Sequence, residues 1–154
     1  KKIYEIAKFC DYLFIEKKLT TVFVPFQINS SNDLLIANRI LKEIKSKNAF
    51  KIITDKINFK DAIEIISQST AVVGMRLHSV IFSVLAGTPV LPISYSQKVG
   101  NFSKSAGIKS IIEFDELTLE NLKSNFDLIE IDEIKVNSLK KEIELHKELL
   151  RKLF

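Results

Sequence analysis

Arg76 and His78 stand two positions apart inside an otherwise nearly uncharged apolar run, VVGMRLHSVIFSVLAGTPVLPISY (72–95). A guanidinium fork grips a carboxylate or phosphate at two points, which an ammonium cannot do. An imidazole is the side chain best suited to passing protons near neutrality. Together they suit the capture of an anionic substrate with a proton donor or acceptor beside it. Only three of the 23 basic residues are arginine, namely Arg39, Arg76 and Arg151, so its use in the most apolar stretch suggests that guanidinium geometry is wanted there. The bland readings are a structural ion pair for Arg76 and a capping or core histidine for His78. Their coincidence at one strand-to-helix turn favours the functional reading.

The elements that must hold this turn follow from the pattern of apolar residues. TVFVPF (21–26), FKIIT (50–54), AVVGM (71–75), VLPIS (90–94) and SIIEF (110–114) read as strands, and their near-continuous apolar character suits a parallel sheet covered on both faces. Between them, 32–46, 60–68, 77–87 and 98–107 carry helical or turn-of-helix spacing. Ser31 or Asn32 can cap the first of these, and Gly87 and Gly107 read as left-handed helix stops. The opening stretch puts Ile3, Ile6, Cys10, Leu13 and Phe14 on one helical face, where Cys10 reads as a buried core thiol. The segment 132–154 reads as a long amphipathic helix with Val136, Leu139, Ile143, Leu150 and Leu153 on its apolar side.

Five β-α units of this kind predict one α/β domain over 1–154: a Rossmann-like, doubly wound parallel sheet of about five strands with right-handed crossovers. Ligands in such sheets bind beyond the carboxyl ends of the strands, near the switch in strand order. The relevant loops are then 27–32, 74–78 and 95–101. Gly74 lets a ligand or backbone approach closely, and the first amides of the helix after Arg76 favour an anion at the same place. Tyr95 and Lys98 follow the fourth strand toward the same crevice, where Lys98 reads equally as a second phosphate-seeking charge and as a solvated lysine. Gln27, Asn29 and Asp33 fall in the first loop, where turn and capping chemistry is the favoured account. His146 lies among Glu and Lys and reads as solvated.

Composition narrows the classes. At 154 residues, 46% hydrophobic and 27% charged, the chain suits an ordinary globular domain with its own core. A net charge of +4 on scattered lysines gives no basic stripe for nucleic acid. No apolar run reaches the length of a membrane span, and no signal peptide opens the sequence. A lone cysteine allows neither a disulfide framework nor a cysteine metal site, and no metal-ligand spacing is present. Asp115 and Glu116 are adjacent, a poor arrangement for a two-carboxylate glycosidase. The sequence starts at Lys1 inside a helical pattern, as an excised piece of a longer protein would.

The stretch IEIISQSTAVVGMRLHSVIFSVLAGTPVLPISYSQKV (63–99) closely resembles the signature region of the polysaccharide pyruvyltransferase family. The likeness rests on Gly-Met-Arg-Leu-His-Ser at 74–79, then Gly87, Pro89, Val90, and Ser94-Tyr95 with Lys98. It implies two Rossmann-like domains facing each other, as in GT-B glycosyltransferases, with this chain as the C-terminal one. It also implies transfer of the enolpyruvyl-derived unit of phosphoenolpyruvate (PEP) onto two sugar hydroxyls as a ketal, with release of phosphate. By the same resemblance Arg76 holds an anionic group of PEP, and His78 contacts the donor as candidate acid or base. Gly74, Leu77, Ser79, Tyr95 and Lys98 complete the donor-binding set. The implied partners are PEP, a glycan or lipid-linked sugar acceptor and an N-terminal domain. No cofactor or metal is implied. The implied setting is cell wall or exopolysaccharide biosynthesis in the cytoplasm or at the inner membrane face.

Two other readings stay open at this point. One is a GT-B glycosyltransferase using a nucleotide-sugar, weakened by the lack of a Gly-rich phosphate loop and of any two glutamates with seven residues between them. The other is a non-catalytic relative that binds a glycan or partner.

Overall fold

The computed structural model describes residues 1–26 and 32–129. Gln27, Asn29, His146 and the helix expected over 132–154 lie outside the described residues. The described residues form two compact units, one from Lys1–Asn58 with Glu116–Ser124 and one from Phe59–Asp115 with 125–129.

In the first unit, α1 (Lys2–Ile15) packs against α2 (Asn32–Glu43), and β1 (Thr21–Phe23) pairs in parallel with β2 (Phe50–Ile52). The expected face of α1 is the one buried. Ala7 and Cys10 meet Ile40, Ile44, Ala49 and Phe50, with Ile3, Ile6, Phe14 and Phe23 packed around them. Positions three and four apart on α1 share one side of the helix, so this stripe reaches the core without a polar break. Burial pushes the Cys10 thiol up to about 11, so it stays protonated and packs as a small apolar side chain.

Carboxylates on the other side of α1 tie distant chain to it. Asp11 accepts from the backbone N–H of Lys45 (3.0 Å) and Ser46 (2.8 Å), just past the end of α2. Glu5 accepts from the N–H of Leu119 (2.9 Å), the first residue of a short helix, α6 (Leu119–Phe126), and pairs with Lys8 at 3.0 Å. Lys2 donates to the Leu117 carbonyl at 3.2 Å, and the Lys123 ammonium lies 4.3 Å from the centre of the Tyr12 ring. The hydrogen bond from Lys8, then that from Leu119, hold the Glu5 carboxyl below its ordinary value. A lowered carboxyl contributes stability above its unfolded-state pKa and loses it as pH falls through the folded-state one. Glu5→Gln is therefore expected to lower the melting temperature at pH 7 and to converge on the wild type well below about pH 4, the ordinary carboxylate range. Thermal melts of both proteins at neutral and acid pH check this; a constant gap across pH would sink it.

In the second unit, β3 (Val72–Gly74), β4 (Val90–Ser94) and β5 (Ile112–Glu113) form a parallel ladder in the order β3-β4-β5. Gly74 lies opposite Pro92, and Ile93 opposite Ile112. α3 (Phe59–Ser67) precedes β3, α4 (Leu77–Ala86) joins β3 to β4, and α5 (Gln97–Ser105) joins β4 to β5. α4 packs against both of its neighbours, α3 and α5. Val80, Val84, Val90, Val99 and Ala106 form the centre of this core, with Val72, Leu77, Phe102 and Ile108 against it. Gly87 closes α4 in the left-handed region at φ 74°, with the Thr88 N–H returning to the Ser83 carbonyl at 2.9 Å. The Thr88 hydroxyl then donates to the Ile66 carbonyl at 2.9 Å, pinning the end of α3.

Each strand read from sequence contains an observed strand, and each interstrand helix falls within a residue or two of its expected start. The pairing is what differs: among the described residues the strands form separate parallel ladders of two and three. The β3-β4-β5 ladder runs in chain order, so the expected reversal of strand order is not within it. Burial on both faces also holds for β4 alone, which is buried at all five positions. Val22 on β1 and Val73 on β3 are 46% and 39% exposed. Among the described residues no helix is long and apolar enough to cross a membrane.

Candidate active site

Register places the candidate residues. In a parallel ladder all carboxyl ends lie on one edge, and the pairing of Gly74 with Pro92 carries the chain after β3 and the chain after β4 to that same edge. Arg76 and His78 follow β3; Tyr95 and Lys98 follow β4. The edge thus carries these four residues on two different crossovers of one unit. Glu113 ends β5 at the same edge, with Asp115 just beyond it.

The turn that presents Arg76 is tightly built. Arg76 is the N-cap of α4 in extended backbone (φ −79°, ψ 137°). Its carbonyl accepts from the N–H of Ser79 at 3.0 Å and of Val80 at 3.4 Å, and from the Ser79 hydroxyl at 2.6 Å. Ser79 is 7% exposed, and its own carbonyl takes the Ser83 hydroxyl at 2.7 Å. The amides of Leu77 and His78 are left as first-turn donors at the positive end of α4.

Gly74 makes room for the close approach of a neighbouring element. A Cβ there would lie 2.8 Å from Ser79 Oγ and 3.1 Å from Val80 Cγ2. The space its missing side chain leaves is thus filled by the first turn of α4. Leu77 is half-buried against the Val80 core. Of the expected set, Gly74, Leu77 and Ser79 therefore build the turn. Arg76 is half-buried, while His78, Tyr95 and Lys98 are exposed, Tyr95 at 52%. Gly100 on α5 plays a similar part after β4, since a Cβ there would meet Ser94 Oγ at 3.1 Å. Asp33 is also buried, and its carboxylate accepts from the Phe26 N–H at 3.1 Å, which is loop-closing work of the kind favoured for that segment.

One neighbour of the site has no counterpart in the sequence reading. The Phe59 ring stacks against the His78 imidazole with centroids 6.0 Å apart and planes at 26°. Phe59 opens α3 and lies nineteen residues before His78, with nothing local in the sequence to join them. Among the described residues no three of His, Cys, Asp and Glu are grouped as a metal site would need.

A family model described as polysaccharide pyruvyl transferase matches residues 1–97. The chain belongs to this family. The matched region runs from the start of α1 through β4 to the first residue of α5. It therefore takes in Arg76, His78 and Tyr95 and stops one residue before Lys98. No match was found among curated proteins or among solved structures. Membership of a pyruvyl transferase family marks the chain as a transferase domain associated with polysaccharide pyruvylation.

Proposed function

We propose that this chain is the donor-binding, C-terminal domain of an enzyme that moves the three-carbon unit of PEP onto a sugar as a pyruvate ketal. The setting is cell-surface polysaccharide biosynthesis, with a GT-B-like facing domain holding the acceptor. The observation that carries the reading is the carboxyl edge of β3-β4, where the head of α4 with Arg76 and His78 and the chain after β4 with Tyr95 and Lys98 both begin, in a chain of this family.

The chemistry needs few groups. A proton delivered to the methylene carbon of PEP makes the adjacent carbon oxocarbenium-like, and the first sugar hydroxyl attacks it. The C–O bond to phosphate then breaks, and the second hydroxyl closes the ketal. One hydroxyl proton replaces the one delivered to carbon, and the other leaves with inorganic phosphate. Arg76 binds the PEP carboxylate or its phosphate, and the first amides of α4 add to the anion's support. Lys98 supplies a second positive charge, Tyr95 a wall, and His78 the proton relay. Gly74, Leu77 and Ser79 serve through the turn they build.

The test is PEP-dependent release of phosphate by the full-length protein with cell-wall or capsule glycans as acceptors, together with thermal shifts against PEP and against UDP- and CMP-sugars. Stabilisation by PEP and acceptor-dependent phosphate release are expected. Stabilisation by a nucleotide-sugar alone would replace this reading with glycosyl transfer.

A further inference from the structure

Phe59 is the first residue of α3 and is 67% exposed, so burial in the core does not account for a phenyl ring there. Its contacts are specific. It stacks on His78 (6.0 Å, 26°) and meets Phe82 edge-on (5.7 Å, 66°). Phe82 lies one turn along α4 from His78, four residues on, and its ring is 6.0 Å from the imidazole at 42°. The imidazole is thus flanked from its own helix and from the neighbouring one, while His78 remains exposed.

A histidine that moves protons must keep its ring plane fixed, and the usual device is a hydrogen bond from one ring nitrogen to a carboxylate or carbonyl. Among the described residues the His78 imidazole has no such bond. An exposed side chain with two free torsions would then sweep a wide arc. Two phenyl rings in stacked and tilted contact remove most of that arc without consuming a ring nitrogen. Both nitrogens stay available to substrate.

We propose that Phe59 is a positioning residue for His78, acting through its flat ring face. The proposal rests on the pyruvyl-transfer reading of His78. Phe59→Ala is expected to lower kcat about tenfold, with KM for PEP changed by less than about threefold, because a misaimed proton relay costs rate more than affinity. Phe59→Tyr, which keeps the face, restores turnover; Phe59→Leu, which keeps only apolar bulk, does not. The exposed position should leave the melting temperature unchanged in all three. A signature independent of turnover is the imidazole C–H resonances of His78 in the full-length protein, assigned by their disappearance in His78→Gln. A ring face shifts them upfield, and Phe59→Ala moves them downfield.

Suppose His78→Ala is inactive while Phe59→Ala is fully active, or Phe59→Leu equals wild type. The positioning proposal is then overturned and the assignment of His78 stands. A rise confined to KM for the acceptor, or loss of kcat with no movement of the His78 resonances, also overturns it. If His78→Ala keeps full turnover, the assignment of His78 is what fails, and the proposal falls with it.

Discussion

His78→Ala in the full-length protein is expected to cut PEP-dependent phosphate release by about 10²–10⁴-fold, the usual worth of a positioned proton relay. Under the proposed chemistry PEP is unreactive until its methylene carbon takes a proton, so loss of the relay stops the reaction at its first step. The exposed imidazole makes no hydrogen bond among the described residues, so the fold should tolerate its loss. Arg76→Lys separates the partner role. It keeps the charge but loses the two-point grip, and it should raise KM for PEP and lower kcat together, by about tenfold or more in kcat/KM. Steady-state kinetics with PEP varied at fixed acceptor reads both. An unaltered rate in His78→Ala would remove the acid/base role. A fully active Arg76→Lys would mean that charge alone, and not fork geometry, is needed at that turn.

Gly74→Ala has the largest expected structural effect. The new methyl carbon would sit 2.8 Å from Ser79 Oγ, whose hydroxyl is held by the Arg76 carbonyl at 2.6 Å, and 3.1 Å from Val80 Cγ2. Ser79 and Val80 are 7% and 0% exposed, so neither swings out into solvent. Overpacking of this kind costs about 1–3 kcal/mol, and relief comes by pushing the head of α4 off β3. Arg76 and His78 ride on that head, so activity should fall with stability. Ser79→Ala removes one of the two clashing atoms while losing a buried hydrogen bond worth about 0.5–1.5 kcal/mol. The double variant Gly74→Ala/Ser79→Ala should then be more stable than the sum of the singles, read by urea unfolding. Strict additivity would mean that the Ser79 contact is not what glycine relieves.

Local signals in the sequence were read correctly where the physics is local. The expected stripe of Ile3, Ile6, Cys10, Leu13 and Phe14 on α1 follows from the helical repeat; Ile3, Ile6, Cys10 and Phe14 lie in the core shared with α2, and Leu13 is buried too. The stops at Gly87 and Gly107 follow from the ease with which glycine takes positive φ, observed at 74° and 78°. The helix α6 went unread although Thr118 caps it, accepting the Asn121 N–H at 3.2 Å. It is eight residues long, and much of what holds it is Glu5, 114 positions earlier in the chain. First-strand pairing ended sooner than its apolar run, which holds Pro25, a residue with no N–H to give a neighbour.

The family, the parallel α/β class, the order of elements and the turn that carries Arg76 and His78 are all legible in residue type and spacing. Each of these depends on residue type and spacing within a few dozen positions. The pairing of strands in ladders of two and three, the packing of α4 over Gly74 and the flanking of His78 by Phe59 emerge only in three dimensions. Those facts are contacts between separate elements, set by how helices and strands dock. No periodicity along a single chain encodes which neighbour a face will meet.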